Sequence, residues 1–446
     1  MEETSSTSEV NELEQLIESW ASLPEEDRQE AFRSLSRPDA EDLFLRLSPS
    51  DQHDLIRELP NIQRRSWIRL LAPDDAADLI QQFAYEDRAQ ILALLDIGTM
   101  KEVVALLAYA EDDAGGLMNP RFIRIRPDVP VDVAIRYIRA QAKAKVETIH
   151  YVYVLDHEQR LLGAMSFRDL LLAPPDRVVS EIMKTELKTL PEDMDQEEVG
   201  RQFSQSGLSA LPVVDAEGHM KGIVTVDDAV QVVEQEATED IHKLGGTGTF
   251  DEAYLQIGLG SMLKKRAYWL VILFAGEMLT ATAMAHYEQE IEKAVVLALF
   301  IPLIISSGGN SGSQATSLMI RALALKEVRL QDWWRVLRRE ILVGALLGAI
   351  LGTIGLFRVT LWPHIWPKYL DVYGPHYMRV GAAVAVALVG VVLWGSLAGS
   401  MLPFALRRVG LDPATASAPL VATLVDVTGL IIYFSVASVL LHGVML

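Results

Sequence analysis

Five apolar stretches in the second half of the chain constrain its fold more than any other feature. They occupy residues 267–287, 294–320, 341–357, 380–406 and 413–441. A helix needs about 20 residues to cross the hydrocarbon core of a bilayer, so each stretch is long enough or nearly so. Because spanning segments must satisfy their own backbone hydrogen bonds in lipid, the pattern predicts an all-α transmembrane domain of five helices.

The charges between these stretches predict an orientation. The segments at 264–266, 321–339 and 407–408 are rich in Lys and Arg, whereas the loop at 360–377 is rich in aromatic residues. Basic loops remain in the cytosol, and an odd number of spans then leaves the C-terminus outside. The first residues are acidic and polar and lack the pattern of a signal peptide, so we expect the N-terminus in the cytosol.

Two spans carry an isolated carboxylate. Asp426 is the only charged residue of the fifth stretch, where it costs about 2.5–3.5 kcal/mol at the bilayer centre. Contact with water and a cation in a pore offsets this cost; the alternative is a structural carboxylate bonded to Thr423 or Thr428. Glu277 interrupts the first stretch. Its role stays open between the ion path and a hydrogen bond to a neighbouring helix.

The second stretch contains the polar segment SSGGNSGSQATS, residues 306–317, within its crossing. Such a segment must face protein or a water-filled cavity. Gly308, Gly309 and Gly312 let the backbone leave a helical path and approach a ligand closely. The alternative is a packing face of small residues, which Asn310 disfavours. Oxygen ligands with a single carboxylate suit a hard cation that keeps its water, as Mg²⁺ does.

Acidic residues are concentrated in the first part of the chain. Residues 263–446 hold 10 acidic and 15 basic residues, whereas residues 1–262 hold 50 and 25. This surplus attracts cations and disfavours nucleic acid, although an acidic surface also aids solubility. Glu236, Glu239 and Asp240 share one face of a predicted helix, where like charges repel unless a cation lies among them. The alternative is a solvated acidic face. The chain has no cysteine, which excludes disulfides and thiolate metal sites.

The first half contains two kinds of repeat. LSPSD at 47–51 recurs as LAPDD at 71–75, each followed by DLI three residues on. Pro and Asp at helix starts before apolar pairs predict an all-α solenoid of short helices. YVYVLDHEQRLLGAMSFRDLL at 151–171 recurs as ALPVVDAEGHMKGIVTVDDAV at 210–230, which predicts two α/β units that pack as a pair.

This α/β pair resembles a tandem CBS-domain pair, at GAMSFRD (163–169) and GIVTVDD (222–228). In that family the Ser or Thr and the Asp three residues later often bind adenosine nucleotides. The resemblance therefore implies a nucleotide site, with ATP as the expected ligand. The matching residues are Tyr151, Ser166, Arg168, Asp169, Thr225 and Asp228. The alternative is that the carboxylates cap helices.

From about residue 20 to its end the chain resembles the MgtE magnesium channels. The resemblance rests on YAEDDAGGLMNP (109–120), EATEDIHKLG (236–245), GGNSGSQ (308–314) and PLVATLVDVTG (419–429). It implies a multidomain homodimer in a bacterial-type inner (plasma) membrane. The domains expected are a helical N domain at 1–118, CBS units at 119–177 and 178–236, a connecting plug helix at 237–265 and the transmembrane domain at 266–446.

The resemblance also implies sites for Mg²⁺. Asp426 of each subunit would hold a hydrated ion, assisted by the backbone of Ala422 and by a turn at Gly308, Gly309 and Asn310. Cytosolic Mg²⁺ would close the pore by bridging acidic residues, and low Mg²⁺ would let them repel one another. The matching regulatory residues are Asp42, Asp74, Asp78, Glu197, Asp228, Glu236, Glu239, Asp240 and Asp412. Gly207 and Gln231 stand where the family pattern has acidic residues, and Ala418 replaces a polar one.

The predicted function is a Mg²⁺-selective channel gated by cytosolic Mg²⁺. Two alternatives stay open. One is a secondary transporter that couples a divalent cation to H⁺ or Na⁺, which Glu277 keeps in view. The other is a membrane-anchored sensor of Mg²⁺ or nucleotide that conducts nothing, against which the polar segment 306–317 and Asp426 count. An enzyme is not expected, because the histidines are scattered and no phosphate-binding loop is present.

Overall fold

The computed structural model describes residues 13–143, 146–250, 253–366 and 373–442. The N-terminal residues expected in the cytosol, the middle of the aromatic loop at 367–372 and the C-terminal residues 443–446 lie outside this description. The chain divides into two compact units, Met1–Ala237 with Glu252–Gln256 and Thr238–Asp251 with Ile257–Leu446.

Short helices form the start of the first unit, as the repeat predicts. After a 3-10 turn at Trp20–Ser22 they are α1 (Glu25–Ser34), α2 (Arg37–Arg46), α3 (Pro49–Ile56), α4 (Asn61–Ile68), α5 (Pro73–Gln81), α6 (Tyr85–Leu92) and α7 (Ile97–Leu106). Pro49 and Pro73 each occupy the first turn of a helix, where the missing N–H of proline costs no hydrogen bond. The Ser48 Oγ accepts from the Asp51 N–H at 3.2 Å and caps α3.

The predicted α/β repeat is confirmed. Its elements are α8 (Ala114–Leu117), β1 (Arg124–Ile125), α9 (Val131–Gln141), β2 (Tyr151–Leu155), β3 (Leu161–Ser166), α10 (Phe167–Leu172), α11 (Val179–Ile182), β4 (Leu190–Pro191), α12 (Gln196–Ser206), β5 (Ala210–Val214) and β6 (Met220–Thr225). The two sheets have the orders β1-β2-β3 and β4-β5-β6, each with one parallel and one antiparallel pairing. Both hairpins pair in the same register, Tyr151 with Ser166 and Ala210 with Thr225.

The helical repeat and the second α/β half share one hydrophobic core. Leu79 and Ile80 of α5 belong to the same buried cluster as Leu211 and Val224 of the second sheet. The segment YAEDDAGGLMNP joins them through the Ala114 N–H, which donates to the Met194 carbonyl at 2.7 Å. This core fixes the acidic start of α5 against the α/β pair.

One long helix, α13 (Val226–Leu244), follows β6 and contains the predicted acidic face of Glu236, Glu239 and Asp240. It begins before residue 237 and ends before residue 265, so its bounds differ from those expected for the plug helix. It begins in the first compact unit and ends in the second. Asp227 and Asp228 lie in its first turn, where the helix dipole favours acidic side chains.

The second unit contains the five predicted spans. Its helices are α14 (Leu259–His286), α15 (Glu288–Lys293), α16 (Ile301–Ala324), α17 (Trp333–Ile365), α18 (Tyr377–Arg408) and α19 (Ala418–Leu441), with 3-10 turns at Val295–Phe300, Leu330–Asp332 and Pro413–Thr415. Five helical segments among the described residues are long and apolar enough to cross a membrane. The third helix extends beyond its apolar stretch at both ends, because it runs from Trp333 to Ile365 and includes the polar residues on either side of residues 341–357.

Glycines bring three of these helices into close contact. A Cβ added at Gly395 of α18 would overlap the Gly308 carbonyl oxygen of α16, and one at Gly399 would overlap that of Gly312. On the other side of α18, Gly348 of α17 lies so close to Val389 that an added Cβ would be 2.7 Å from its Cα. Small residues at four-residue spacing let helix backbones approach in this way.

Candidate cation path and regulatory carboxylates

Asp426 is the ninth of the 24 residues of α19 and lies beside the polar segment of α16. A Cβ added at Gly309 would lie 3.5 Å from the Ala422 Cβ and 3.8 Å from the Asp426 Oδ1. The structure therefore brings together three of the residues predicted for the pore. Because Gly309 has no side chain, space remains next to the carboxylate.

The Asp426 carboxylate has no hydrogen bond or ion pair with any described residue. The Thr423 hydroxyl donates to the Pro419 carbonyl at 3.0 Å, and the Thr428 hydroxyl donates to the Leu424 carbonyl at 2.7 Å. The alternative that one of these threonines holds Asp426 as a structural carboxylate is therefore wrong in this structure. The side chain is half-buried.

The turn predicted at Gly308, Gly309 and Asn310 is wrong, because α16 is a continuous helix from Ile301 to Ala324. Its glycines serve packing as well as the space beside Asp426. Gly308 is buried against Val391 and Val425, so it belongs to the small-residue packing face that was the alternative reading. Asn310 is exposed and donates to the Ser306 Oγ at 3.4 Å.

Buried hydroxyls continue this packing face along α16. Ser311 Oγ and Ser396 Oγ are 2.7 Å apart, and Thr316 Oγ1 lies 2.9 Å from the Gly399 carbonyl. These bonds satisfy polar groups that lipid would leave unpaired. They explain Ser311 and Thr316 of the polar segment without an ion.

A second site candidate is a cluster of acidic residues in the first unit. Asp74 and Asp78, on successive turns of α5, lie within electrostatic range of Asp228 at the start of α13. The Asn119 Nδ2 donates to the Asp74 Oδ1 at 3.0 Å and to the Glu147 Oε2 at 2.6 Å, which joins a fourth acidic residue to the group. The structure thus brings together three of the predicted regulatory residues.

Burial raises the pKa values of this cluster. It raises the pKa of Asp78 to about 7, helped by the charges of neighbouring acidic residues. Burial and the Asp228 charge raise the pKa of Glu147 to about 7. Burial raises the pKa of Asp228 to about 6, although the Thr225 hydroxyl, which donates to Asp228 Oδ2 at 2.6 Å, opposes the shift. The pKa of Asp74 is raised well above its usual range, chiefly by burial. The group therefore favours a proton or another cation.

Three members of this cluster were not predicted: Asp75, Glu147 and Asp227, whose charges act on the other acidic residues. Asp75 and Asp227 adjoin predicted residues in acidic pairs, which was a usable signal. Glu147 lies in the connection between α9 and β2, far along the chain from the other members, and no local pattern marks it.

Other predicted regulatory residues lie apart from this cluster. Asp42 pairs with Arg46 at 3.2 Å on α2. Glu236 accepts a 2.5 Å hydrogen bond from the Gln196 Nε2, and Glu197 is exposed at the start of α12. Gly207, which replaces an expected acidic residue, ends α12 with a φ of 64° that only glycine adopts readily.

In the second unit, Lys243 joins two predicted regulatory residues. Its Nζ lies 2.6 Å from the Asp412 Oδ2 and also forms an ion pair with Glu239. The hydrogen bonds to both carboxylates raise the pKa of Lys243 against the opposing effect of burial. Asp240 is half-buried on the next turn toward the helix start. The end of α13 and the loop before α19 thus share a cation-binding pair of carboxylates.

The residues of the predicted nucleotide site divide between two environments. Ser166 caps α10, accepting from the Asp169 N–H at 3.0 Å, and Tyr151 pairs with it across the hairpin. Arg168 and Asp169 are exposed. Thr225 and Asp228 bond to each other at the start of α13, and Asp228 also belongs to the acidic cluster. The Ser166 hydroxyl, and not a carboxylate, caps α10. The Asp228 carboxylate accepts from the Thr225 N–H at 3.2 Å, so the alternative of a capping carboxylate applies to Asp228 alone.

Comparison with known proteins agrees with this architecture. The profile of the family MgtE, "Divalent cation transporter", matches residues 301–436, that of the "MgtE intracellular N domain" matches 11–112, and that of the CBS domain matches 114–176 and 179–235. The magnesium transporter MgtE of Thermus thermophilus is 45% identical over 351 residues, 79% of this chain and 75% of that protein. That of Enterococcus faecalis is 33% identical over 341 residues, 76% and 72% of the two chains.

A solved structure is also similar. The crystal structure of the cytosolic domain of the Mg²⁺ channel MgtE in complex with ATP is 38% identical to this chain. It covers 49% of this chain and 90% of its own, with a TM-score of 0.46.

Proposed function

The chain belongs to the MgtE family of divalent cation transporters and is not an enzyme, and we propose that it is a Mg²⁺-selective channel that cytosolic Mg²⁺ closes. Uptake of Mg²⁺ follows from the family's transported ion. The channel mode and the gate are supported by the chain's own carboxylates.

Asp426 is the observation that carries the proposal. A half-buried carboxylate without a partner among the described residues, in the middle of a membrane-length helix, needs water or a cation to offset its cost. Mg²⁺ dehydrates reluctantly and is usually bound through one or two carboxylates with several waters. The space left by Gly309 beside Asp426 suits a hydrated ion, and Ala422 keeps that side of α19 small. Asn310 offers an exposed amide one residue further along α16.

The acidic cluster around Asp74, Asp78 and Asp228 supports the gate. Each member is harder to ionise than an isolated carboxyl group, chiefly because it is buried and further because the other acidic residues are near. A divalent cation removes this repulsion, so Mg²⁺ favours the conformation in which the acidic residues are close. If that conformation is the closed one, rising Mg²⁺ shifts the population toward it.

The pair of Glu239 and Asp412 belongs to the part of the proposed gate next to the transmembrane helices. Both belong to the second unit, one on α13 and one in the loop that leads into α19. Lys243 already bridges them, which supports binding of a cation between them. Mg²⁺ with its higher charge would hold the end of α13 against this loop and so restrict access to the start of the pore helix.

The remaining parts of the proposal concern assembly and ligands. We place Asp426 of two subunits at a shared pore, with the N-terminus and the basic loops in the cytosol. The α/β pair is proposed to bind ATP near Tyr151, Ser166 and Asp169, within the first segment that matches the CBS-domain profile.

Coupled transport is the second candidate, and the proximity of Glu277 to Asp426 favours it. A channel conducts Mg²⁺ at a rate that H⁺ and Na⁺ gradients leave unchanged, whereas a coupled transporter stops when its driving gradient is removed.

Mg²⁺ uptake into proteoliposomes, with Mg²⁺ on the cytosolic face varied, tests both the channel mode and the gate. We expect the rate of Mg²⁺ uptake to be independent of the H⁺ and Na⁺ gradients and to fall as cytosolic Mg²⁺ rises. In the double variant Asp74→Asn and Asp78→Asn, closure should need more Mg²⁺. Uptake that cytosolic Mg²⁺ leaves unchanged would refute the gate.

A further inference from the structure

Glu277 is an acidic residue in a span whose role neither the pore nor the gate accounts for. Arg266, in the basic segment at the start of this span, precedes it by eleven residues, which a helix covers in about 16 Å. That is about half of a hydrocarbon core of about 30 Å. The side chain is exposed on α14 and has no hydrogen bond or ion pair with a described residue. A charge at this depth requires water, a cation or a partner.

The packing of α14 against α19 fixes where Glu277 lies relative to Asp426. A Cβ added at Gly276 would lie 2.8 Å from Thr423 Cγ2, and the rings of Tyr287 and Phe434 stack at 4.9 Å. Both contacts pair a residue with the one 147 positions later on α19, Gly276 within α14 and Tyr287 directly after its end, so the two helices run parallel in one register. This register sets Glu277 opposite residue 424.

Residue 424 precedes Asp426 by two positions, or about 3 Å along the helix. Glu277 therefore lies at nearly the depth of Asp426, displaced toward the end of α19 that follows the basic loop. The charge of Glu277 acts on Asp426. A groove of about 580 Å³ contains Glu277 and Thr423 in its lining, with apolar residues of α14 around them.

A buried hydroxyl provides an independent observation at the same contact. Thr280 lies one turn beyond Gly276 on the face of α14 that packs against α19. It is 7% exposed, and its Oγ1 has no hydrogen-bond partner among the described residues. In the common register it stands opposite residue 427, directly after Asp426. An unpaired buried hydroxyl is costly and indicates a missing polar partner such as water or a hydrated ion.

We infer that Glu277 is a second carboxylate of the ion path, next to Asp426 on its cytosolic side, and that it raises the preference for divalent over monovalent cations. Thr280 hydrogen-bonds the water that accompanies the ion past this point. The inference rests on the proposed channel function and adds a residue to its path. A second negative charge attracts an ion of charge two twice as strongly as an ion of charge one.

The expected effect follows from Coulomb's law. For an ion held about 6 Å from the carboxylate in a water-like dielectric, Glu277→Gln should lower Mg²⁺ flux about tenfold and Na⁺ flux about threefold. Glu277→Asp keeps the charge and should keep most of the flux. Thr280→Val should lower Mg²⁺ flux without altering the ratio of Mg²⁺ to Na⁺. Glu340→Gln makes the same chemical change on α17, away from this groove. It is the matched control and should keep the wild-type fluxes of both ions.

Cysteine accessibility tests the same inference without relying on flux. The native chain has no cysteine, so a single Glu277→Cys variant in proteoliposomes reports this position alone. A charged, water-soluble thiol reagent should modify it, and Mg²⁺ should slow the modification. Ile350→Cys, at an exposed apolar position of α17, should stay unmodified in lipid.

The inference requires both results. If wild type carries Mg²⁺ but Glu277→Gln matches it, or if Glu277→Cys is unmodified, Glu277 is outside the path and only this inference is overturned. If wild type carries no Mg²⁺ at all, the proposed function fails and the inference fails with it. Loss of flux in Glu277→Gln together with an unreactive Glu277→Cys would assign the side chain a structural role and would also overturn the inference.

Discussion

Asp78 offers the sharpest test of the acidic cluster. Its pKa of about 7, against an ordinary value of 3.8, shows that the folded state binds the proton more tightly than the unfolded state does. A raised folded pKa contributes stability that is present below the unfolded pKa and is lost as pH rises through about 7. Three units correspond to about 4 kcal/mol for an isolated group. Because the neighbouring acidic residues share protons, we expect about half of this from Asp78.

The perturbation is Asp78→Asn, which removes the charge at nearly constant volume. At about pH 8 without Mg²⁺, wild type must keep Asp78 ionised among other carboxylates, so the variant should be more stable by about 2 kcal/mol. Amide hydrogen exchange of α5 in the full-length protein measures the free energy of local opening. Exchange should slow about thirtyfold in the variant at that pH.

Two further results belong to the same experiment. The free energy of opening α5 in wild type should fall between about pH 4 and about pH 7, with a shallower fall in Asp78→Asn. Mg²⁺ should restore protection in wild type and do so less in the variant. Asp42→Asn, which removes a surface carboxylate paired with Arg46, is the control and should keep the wild-type slope. Faster exchange of α5 in Asp78→Asn at about pH 8, or an unchanged slope, would refute the reasoning.

Three other predictions test separate parts of the structure. Gly399→Leu should prevent α16 and α18 from packing at Gly312 and lower the free energy of unfolding by several kcal/mol. Thermal unfolding of the purified protein measures this loss, and an unfolding temperature close to that of wild type would contradict the close approach of the two helices. Lys243→Met should lower the Mg²⁺ concentration that half-closes the channel, because Mg²⁺ no longer competes with an ammonium group at Asp412. Lys243→Arg keeps the positive charge and should match wild type in the same uptake assay. An identical dose response to Mg²⁺ in both variants would exclude this competition. Ser166→Ala should remove the cap of α10, cost about 1 kcal/mol and weaken ATP binding measured by calorimetry, and unchanged binding would place the nucleotide elsewhere.

Much of the architecture follows from local sequence patterns. The five spans were predictable because a bilayer fixes the length and polarity of its helices, and the α/β pair because its two copies repeat the same strand and turn pattern. The extended ends of α17 were not predictable from apolar length, since a helix continues into polar residues once its backbone bonds are satisfied by its own turns.

The site was predictable only in part. Asp426 stood out because its cost in lipid is large, whereas the helical path of Gly308 depends on Gly395, 87 residues later. The glycines at four-residue spacing, Gly308 with Gly312 and Gly395 with Gly399, indicate close packing of two helices. The polar residues between Gly308 and Gly312 favoured a turn instead. Glu147 joins the acidic cluster only through the fold, and Lys243 meets Asp412 only because the end of α13 returns to the loop before α19.

The central claim is that Asp426 binds the permeating ion. Mg²⁺ uptake into proteoliposomes, with Na⁺ uptake measured in parallel, tests it most directly when wild type is compared with Asp426→Asn at low cytosolic Mg²⁺. The account predicts that Asp426→Asn folds as wild type does, loses most Mg²⁺ flux and loses its preference for Mg²⁺ over Na⁺. A folded Asp426→Asn protein that conducts Mg²⁺ with unchanged rate and selectivity would contradict it.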